Sequence, residues 1–265
     1  MPELRLVVCM KVVPKPEEVR VDPITRRLDR ARARAEINPP DMNALEMALA
    51  LRDTHVGRVS ILSMGPPFFE AYLRLGLAMG ADHVYLLSDA MFGGADTLAT
   101  TYTLAAGIRK LGGADVIFCG EESSDGATGQ VPPGLAEWLG LPQLTLATQV
   151  SLDVASRFLR GRREIFGGHE VLQVPMPAVV SVKVACNEPR FMDYRRKPGA
   201  FETGRVTVWD RVDLNAEDSM IGSSGSPTIV SGLEEAAVRE RRREFLRGTP
   251  PEIARQLLDR LDLRG

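Results

Sequence analysis

Between Arg58 and Leu139 one pattern occurs three times. A short apolar stretch runs into a Gly- or Pro-bearing break, and then into a segment with helical spacing. Arg58–Met64 breaks at Gly65-Pro66-Pro67 before Phe69–Met79. His83–Leu87 passes through Met91-Phe92-Gly93-Gly94-Ala95-Asp96 to Thr97–Leu111. Asp115–Cys119 passes through Gly120–Thr128 to Gly129–Leu139. Strands that alternate with helices of this length are joined by right-handed crossovers, so the pattern predicts a doubly wound, mostly parallel sheet of the Rossmann-like α/β class. Such sheets take ligands beyond the carboxyl ends of their strands, where the strand order reverses.

The flanking sequence extends this frame. Leu4–Val13 reads as one continuous buried strand. Val19-Arg20-Val21 and Arg27-Leu28, around Asp22-Pro23-Ile24-Thr25, read as a small hairpin. Asn38-Pro39-Pro40-Asp41 breaks the chain ahead of a helix, with Asp41 expected as its N-cap. Apolar residues make up 44% of the 265, enough for a large core and against wholesale disorder. With 33 Lys and Arg against 35 Asp and Glu, net −2, no basic field favours nucleic acid. No apolar run approaches the roughly 18 residues of a membrane span. The first residues carry charge and lack a cleavage motif, so a cytoplasmic location is expected. Cys9, Cys119 and Cys186 lie too far apart for a metal motif or a disulfide framework.

After Leu141-Pro142 the grammar changes. Gln143–Val150, Phe158–Glu164 and His169–Val174 alternate and are separated by turn residues, which predicts antiparallel additions to the sheet. Ala178–Val184 is apolar enough for another central strand. Residues 187–228 show little helical periodicity, and the expectation is an extended arm that packs on another subunit. Leu233–Leu246 and Pro251–Leu263 read as amphipathic helices. The division expected is an α/β domain over 1–186 and a recognition loop, arm and helices over 187–265.

Two segments could carry chemistry. Gly120–Val131 follows a buried strand and opens a helix, so its glycines and exposed amides suit a phosphate. It lacks the Lys-Ser/Thr pair of a P-loop and the GxGxxG spacing, and a plain glycine-rich connection explains it equally well. Gly93-Gly94-Ala95-Asp96-Thr97, with Thr100 a turn on, is the second candidate, although Asp96 as a simple N-cap accounts for that residue without a ligand. His55, His83 and His169 are isolated, and no acid–base or nucleophile constellation emerges.

Several motifs together resemble the β subunit of electron-transfer flavoproteins over essentially the whole chain. They include Val7-Val8-Cys9-Met10-Lys11-Val12-Val13-Pro14, Asn38-Pro39, Met64-Gly65-Pro66-Pro67, Ala78-Met79-Gly80-Ala81-Asp82 and Asn187-Glu188-Pro189-Arg190. Arg163–Glu170 followed by Pro177–Ser181 looks like the family signature, departing at Phe166 where an acidic residue is usual. The resemblance implies a heterodimer with an α subunit that holds an electron-transferring FAD, and an adenine nucleotide within the β subunit. Its binding positions here would be Cys9, Met10, Asn38, Pro39, Pro40, Asp41, Met64, and Asp125, Gly126, Ala127, Thr128, Gly129, Gln130 and Val131, with the phosphate on the 126–130 amides.

The same resemblance implies that the loop after Asn187-Glu188-Pro189-Arg190 docks a client, with Tyr194 at the contact position. That client would be an acyl-CoA dehydrogenase-like or quinone-linked oxidoreductase. The segments 88–100 and 221–228 look like those of the FAD-containing, electron-bifurcating group. They imply a second FAD in place of AMP, with Asp96, Thr97 and Thr100 serving its second phosphate, and NADH as a possible donor. Pro132 departs from that group's loop and removes an amide. A stand-alone adenine-nucleotide-binding regulatory module and a non-bifurcating carrier subunit with AMP are the alternatives. The long segment after Asn187 favours a subunit, since an isolated module has no use for it.

Overall fold

A computed structural model describes residues 3–15, 20–21, 28–29, 34–202, 204–228 and 244–261. In chain order the elements are β1 (Leu4–Cys9), β2 (Val12–Pro14), β3 (Arg20–Val21), β4 (Leu28–Asp29), β5 (Ala35–Ile37), α1 (Pro39–Thr54), β6 (Gly57–Met64), α2 (Phe69–Met79), β7 (His83–Leu87), α3 (Thr97–Lys110), β8 (Val116–Gly120) and α4 (Val131–Leu139). There follow β9 (Gln143–Asp153), β10 (Phe158–Ile165), β11 (Gly168–Pro175), β12 (Ala178–Val182), the short α5 (Lys197–Ala200), β13 (Val206–Trp209) and α6 (Pro250–Arg260).

Nine strands form one sheet in the order β11-β10-β9-β12-β8-β1-β6-β7-β13. All neighbours from β9 to β13 run parallel, and only β9-β10 and β10-β11 are antiparallel. This is the doubly wound sheet with antiparallel additions that the sequence predicts. From β1 the chain steps outward to β6 and β7, then returns to β8 on the other side of β1. The order therefore reverses between β1 and β8, which is where a ligand crevice belongs. Residues of α1 and α2 bury one face of the sheet with Leu6, Val8 and Ile61, while α3 and α4 cover the other with Val7, Leu62 and Ile117. The central strands are buried on both faces, which explains why they read as unbroken apolar runs.

Four expectations are corrected. Leu4–Val13 is two strands: the backbone leaves the sheet after Cys9, and Val12–Pro14 pairs antiparallel with β5 in a separate two-stranded ribbon. Asp41 is not the N-cap, because Pro39 fixes the first helical turn and Asn38 takes the capping position. Gly129 lies outside α4, since its φ of +61° is left-handed. Finally, the segment read as an arm for another subunit is held by its own chain through residue 228. There β13 extends the parallel sheet beside β7, the Trp209 ring lies 4.7 Å from that of Tyr85, and Ile221 is fully buried.

The expected hairpin pairs as Arg20–Asp29 and Val21–Leu28, while its turn lies outside the described residues. Residues 1–232 form one compact unit and 233–265 another. Of the two expected tail helices, α6 is present, opened by a capping box between Thr249 and Glu252. The expected helix at 233–246 lies almost wholly outside the described residues.

Candidate functional site

Cys9 closes β1 with Met10 just beyond it, Gly120 closes β8 and Met64 closes β6, so three strands deliver their carboxyl ends to the switch point. Cys9 and Cys119 are buried next to each other, and the hydrogen bond between the two thiols, with burial, pushes Cys119 well up. Neither thiol is poised as a nucleophile. The histidines do not converge: His83 meets Thr207 Oγ1 at 2.8 Å, His169 meets Arg162 at 3.2 Å, and His55 ends α1.

The residues from the start of α1 brace the crevice from below. The Asn38 side chain is buried and grips the loop after β8 twice: its amide donates to the Glu122 carbonyl at 2.8 Å and its oxygen accepts from Ser124 N–H at 3.0 Å. Asp41, also buried, accepts from Lys11 N–H at 2.7 Å and Gly120 N–H at 3.1 Å. Burial pushes its carboxyl up to about 7, against the lowering effect of these donors. Pro40 is buried under Gly120, and Pro39 is exposed. Lys11 reaches over the loop, its ammonium 2.6 Å from Asp125 Oδ1 and 3.4 Å from Ser123 Oγ.

The loop then turns through two left-handed residues, Ala127 (φ 45°) and Gly129 (φ 61°). The Gly126 and Ala127 amides are spent on the Ser123 carbonyl, at 3.3 and 2.7 Å. Among the described residues, no acceptor lies within hydrogen-bond reach of the Thr128, Gly129 or Val131 amides. Gln130 N–H reaches only Thr128 Oγ1, at 3.4 Å. Successive amides in a turn of mixed handedness, at the start of a helix, can gather an oxyanion. Pro132 and Pro133 supply no amides, so the helix start contributes Val131 alone.

Across from this loop, α3 begins with Asp96 as its N-cap, accepting from Leu98 and Ala99 N–H. The other Asp96 oxygen takes Thr228 N–H at 3.1 Å and its hydroxyl at 2.7 Å, so this carboxylate is saturated inside the chain. Thr97 Oγ1 donates to Gln130 Oε1 at 2.9 Å and thereby joins the two loops. Thr100 sits half-buried one turn along. Tyr194 lies outside the crevice, 78% exposed beside Phe191 at 92%. Its loop is anchored to the end of α2 by Asp193 N–H to Ala78 O, and the Lys197 ammonium lies 5.8 Å from its ring centre. An apolar cavity of about 310 Å³ opens instead at the amino ends of β8 and β12, among Ala114, Leu139 and Pro177.

Sequence reasoning assigns no role to Lys11, which enters only within the motif at 7–14, and it includes Gly120 in the candidate phosphate segment without its contact to Asp41.

Fold and site together define a doubly wound α/β chain with a crevice at its switch point, floored by buried polar braces and edged by unpaired amides. Residues 25–214 match the electron transfer flavoprotein domain. The chain is 43% identical over 227 residues to an electron transfer flavoprotein subunit beta of Clostridium acetobutylicum, covering 86% of each. It is 43% identical over 245 residues to protein FixA of Azorhizobium caulinodans, covering 89% of this chain and 86% of that one. It is 38% identical over 228 residues to the caffeyl-CoA reductase-Etf complex subunit CarD of Acetobacterium woodii, covering 86% of each. The chain belongs to the electron transfer flavoprotein family. Among the described residues, no helix is long and apolar enough to cross a membrane.

Proposed function

We propose that this chain is the β subunit of a cytoplasmic electron carrier, works with an FAD-bearing α subunit, and holds an adenine nucleotide in the β1–β8 crevice. The observation that carries the nucleotide is the run of unpaired amides at Thr128, Gly129 and Val131, with the Lys11 ammonium over the same loop. Backbone amides suit a phosphate, and the Lys11 ammonium, paired with Asp125, would have to exchange that carboxylate to join them. The adenine would lie against the ends of β1 and β6, by Met10 and Met64.

FAD is the nucleotide we favour over AMP. A second phosphate needs a second donor set, and the Thr97–Gln130 contact brings the start of α3 against the first set. Asp96 serves by shaping that helix start, since its own oxygens are spent. A flavin here would supply one- or two-electron chemistry; this chain's residues bind and orient it. Use of NADH and electron bifurcation would require that second flavin. Tyr194 and its arginine-rich loop would receive the client, an acyl-CoA dehydrogenase-like or quinone-linked oxidoreductase.

Co-expression with the α subunit tests the pairing. Co-purification as a yellow heterodimer is expected, and a stable, colourless, lone β chain would count against it. In a Thr97→Val/Thr100→Val double variant, FAD bound by the β chain should fall while AMP affinity holds. Equal loss of both nucleotides would remove the case for a second phosphate site.

A further inference from the structure

We infer that Asp41 is a positioning residue: a buried strut tying the end of β8 to the residue just past β1, whose protonation speeds nucleotide release. This rests on the nucleotide reading given above. The strut spans the switch point itself. Its Oδ2 holds Lys11 N–H at 2.7 Å, and its Oδ1 holds Gly120 N–H at 3.1 Å. Both held residues feed the anion-binding loop. Gly120 leads directly into 121–130, and the Lys11 side chain reaches Asp125 and Ser123. Gly120 is shaped to the strut, because a Cβ there would come within 2.4 Å of Asp41 Oδ1.

The chemistry gives the strut two states. An ionised carboxylate accepts at both oxygens and satisfies both amides. A protonated one turns an oxygen into a donor, so one strand end loses its acceptor. The groups facing Asp41 are few. Lys11 faces it from the β1 side and the Cys119 thiol from β8, and Asn38 faces it from its own helix. Glu121 turns away to Val184 N–H and Lys183, and Asp125 is held by Lys11. With its carboxyl pushed up to about 7 by burial, the switch falls within the physiological range.

The sign separates this mechanism from simple electrostatics. Repulsion between a bound phosphate and an ionised Asp41 would make release slower at acid pH, whereas a broken strut makes it faster. The purified heterodimer with its α subunit is loaded with FAD, and separately with AMP, and the nucleotide retained by this chain after rapid dilution is followed by chromatography from about pH 5.5 to about pH 8.5. About tenfold faster dissociation is expected at the acid end, the equivalent of one hydrogen bond. Asp41→Asn, which always presents one donor to the two amides, should release fast and without this pH step. The AMP phosphate itself titrates near about pH 6, and the variant retains that contribution and so controls for it. Release that is independent of pH, slower at acid pH, or stepped alike in Asp41→Asn would overturn the strut. The wild-type profile decides the sign even where the variant fails to fold. Retention of neither nucleotide at any pH would overturn the nucleotide reading, a result distinct from retention without a pH step.

Discussion

A Cβ at Gly120 would lie 2.4 Å from Asp41 Oδ1 and 2.7 Å from Pro40 Cβ, both parts of a buried, braced helix start. Gly120→Ala should therefore cost about 1–3 kcal/mol of stability by overpacking, read as a lower urea midpoint; an unchanged midpoint would mean that the helix start yields freely. Asp41 itself sets a pH dependence. Its folded value of about 7 stands above the ordinary 3.8, so its contribution to stability is full below about pH 4 and is lost as pH rises through 7. The gap corresponds to about 4 kcal/mol. Relative to wild type, Asp41→Asn should gain stability by that order between pH 4 and pH 7.5, and a difference constant with pH would contradict a carboxyl titrating in this window. Ser63 offers a contrasting case, since it is fully buried on β6 and its hydroxyl has no partner among the described residues. Ser63→Ala should be neutral or stabilising by up to about 1 kcal/mol, because it removes an unsatisfied group rather than a bond.

Elements with strong local punctuation were legible in the sequence, and those defined by distant partners were not. Gly65-Pro66-Pro67 and Gly80 bound α2 at Phe69–Met79, and the apolar run at His83–Leu87 is a strand at those residues. Asp41 looked like a cap because an acidic residue beside an Asn-Pro break is a local signal; its real partner at Gly120 is 79 residues away. β13 was missed because four residues amid charge carry too little pattern, and its place depends on the open edge of β7. The resemblance implies a phosphate on the 126–130 amides, but those of Gly126 and Ala127 are consumed by a turn that spacing does not reveal. The segment after β13 is therefore expected to behave as core. Ile221 is fully buried and Leu214 nearly so, in a cluster with Phe92. A chain ending at residue 228 should melt like the intact 1–232 unit, while one ending at 209 should lose several kcal/mol as those side chains leave. Equal melting of both would restore the picture of a free arm.

At the scale of the whole molecule, the proposed carrier role gives one chain two surfaces: a switch point that would take a nucleotide and an exposed loop that would meet a client. Tyr194 and Phe191 project from a loop fixed to α2, a composition suited to a contact centre. Tyr194→Ala should slow electron transfer to the client about tenfold or more while leaving bound nucleotide unchanged, and parallel loss of both would indicate damage to the fold instead. The most direct measurement is the count of flavin and AMP per purified heterodimer, by absorbance and by chromatography of the released nucleotides. Two FAD per heterodimer, one of them retained by this chain, is the expected result. One FAD with one AMP would contradict it.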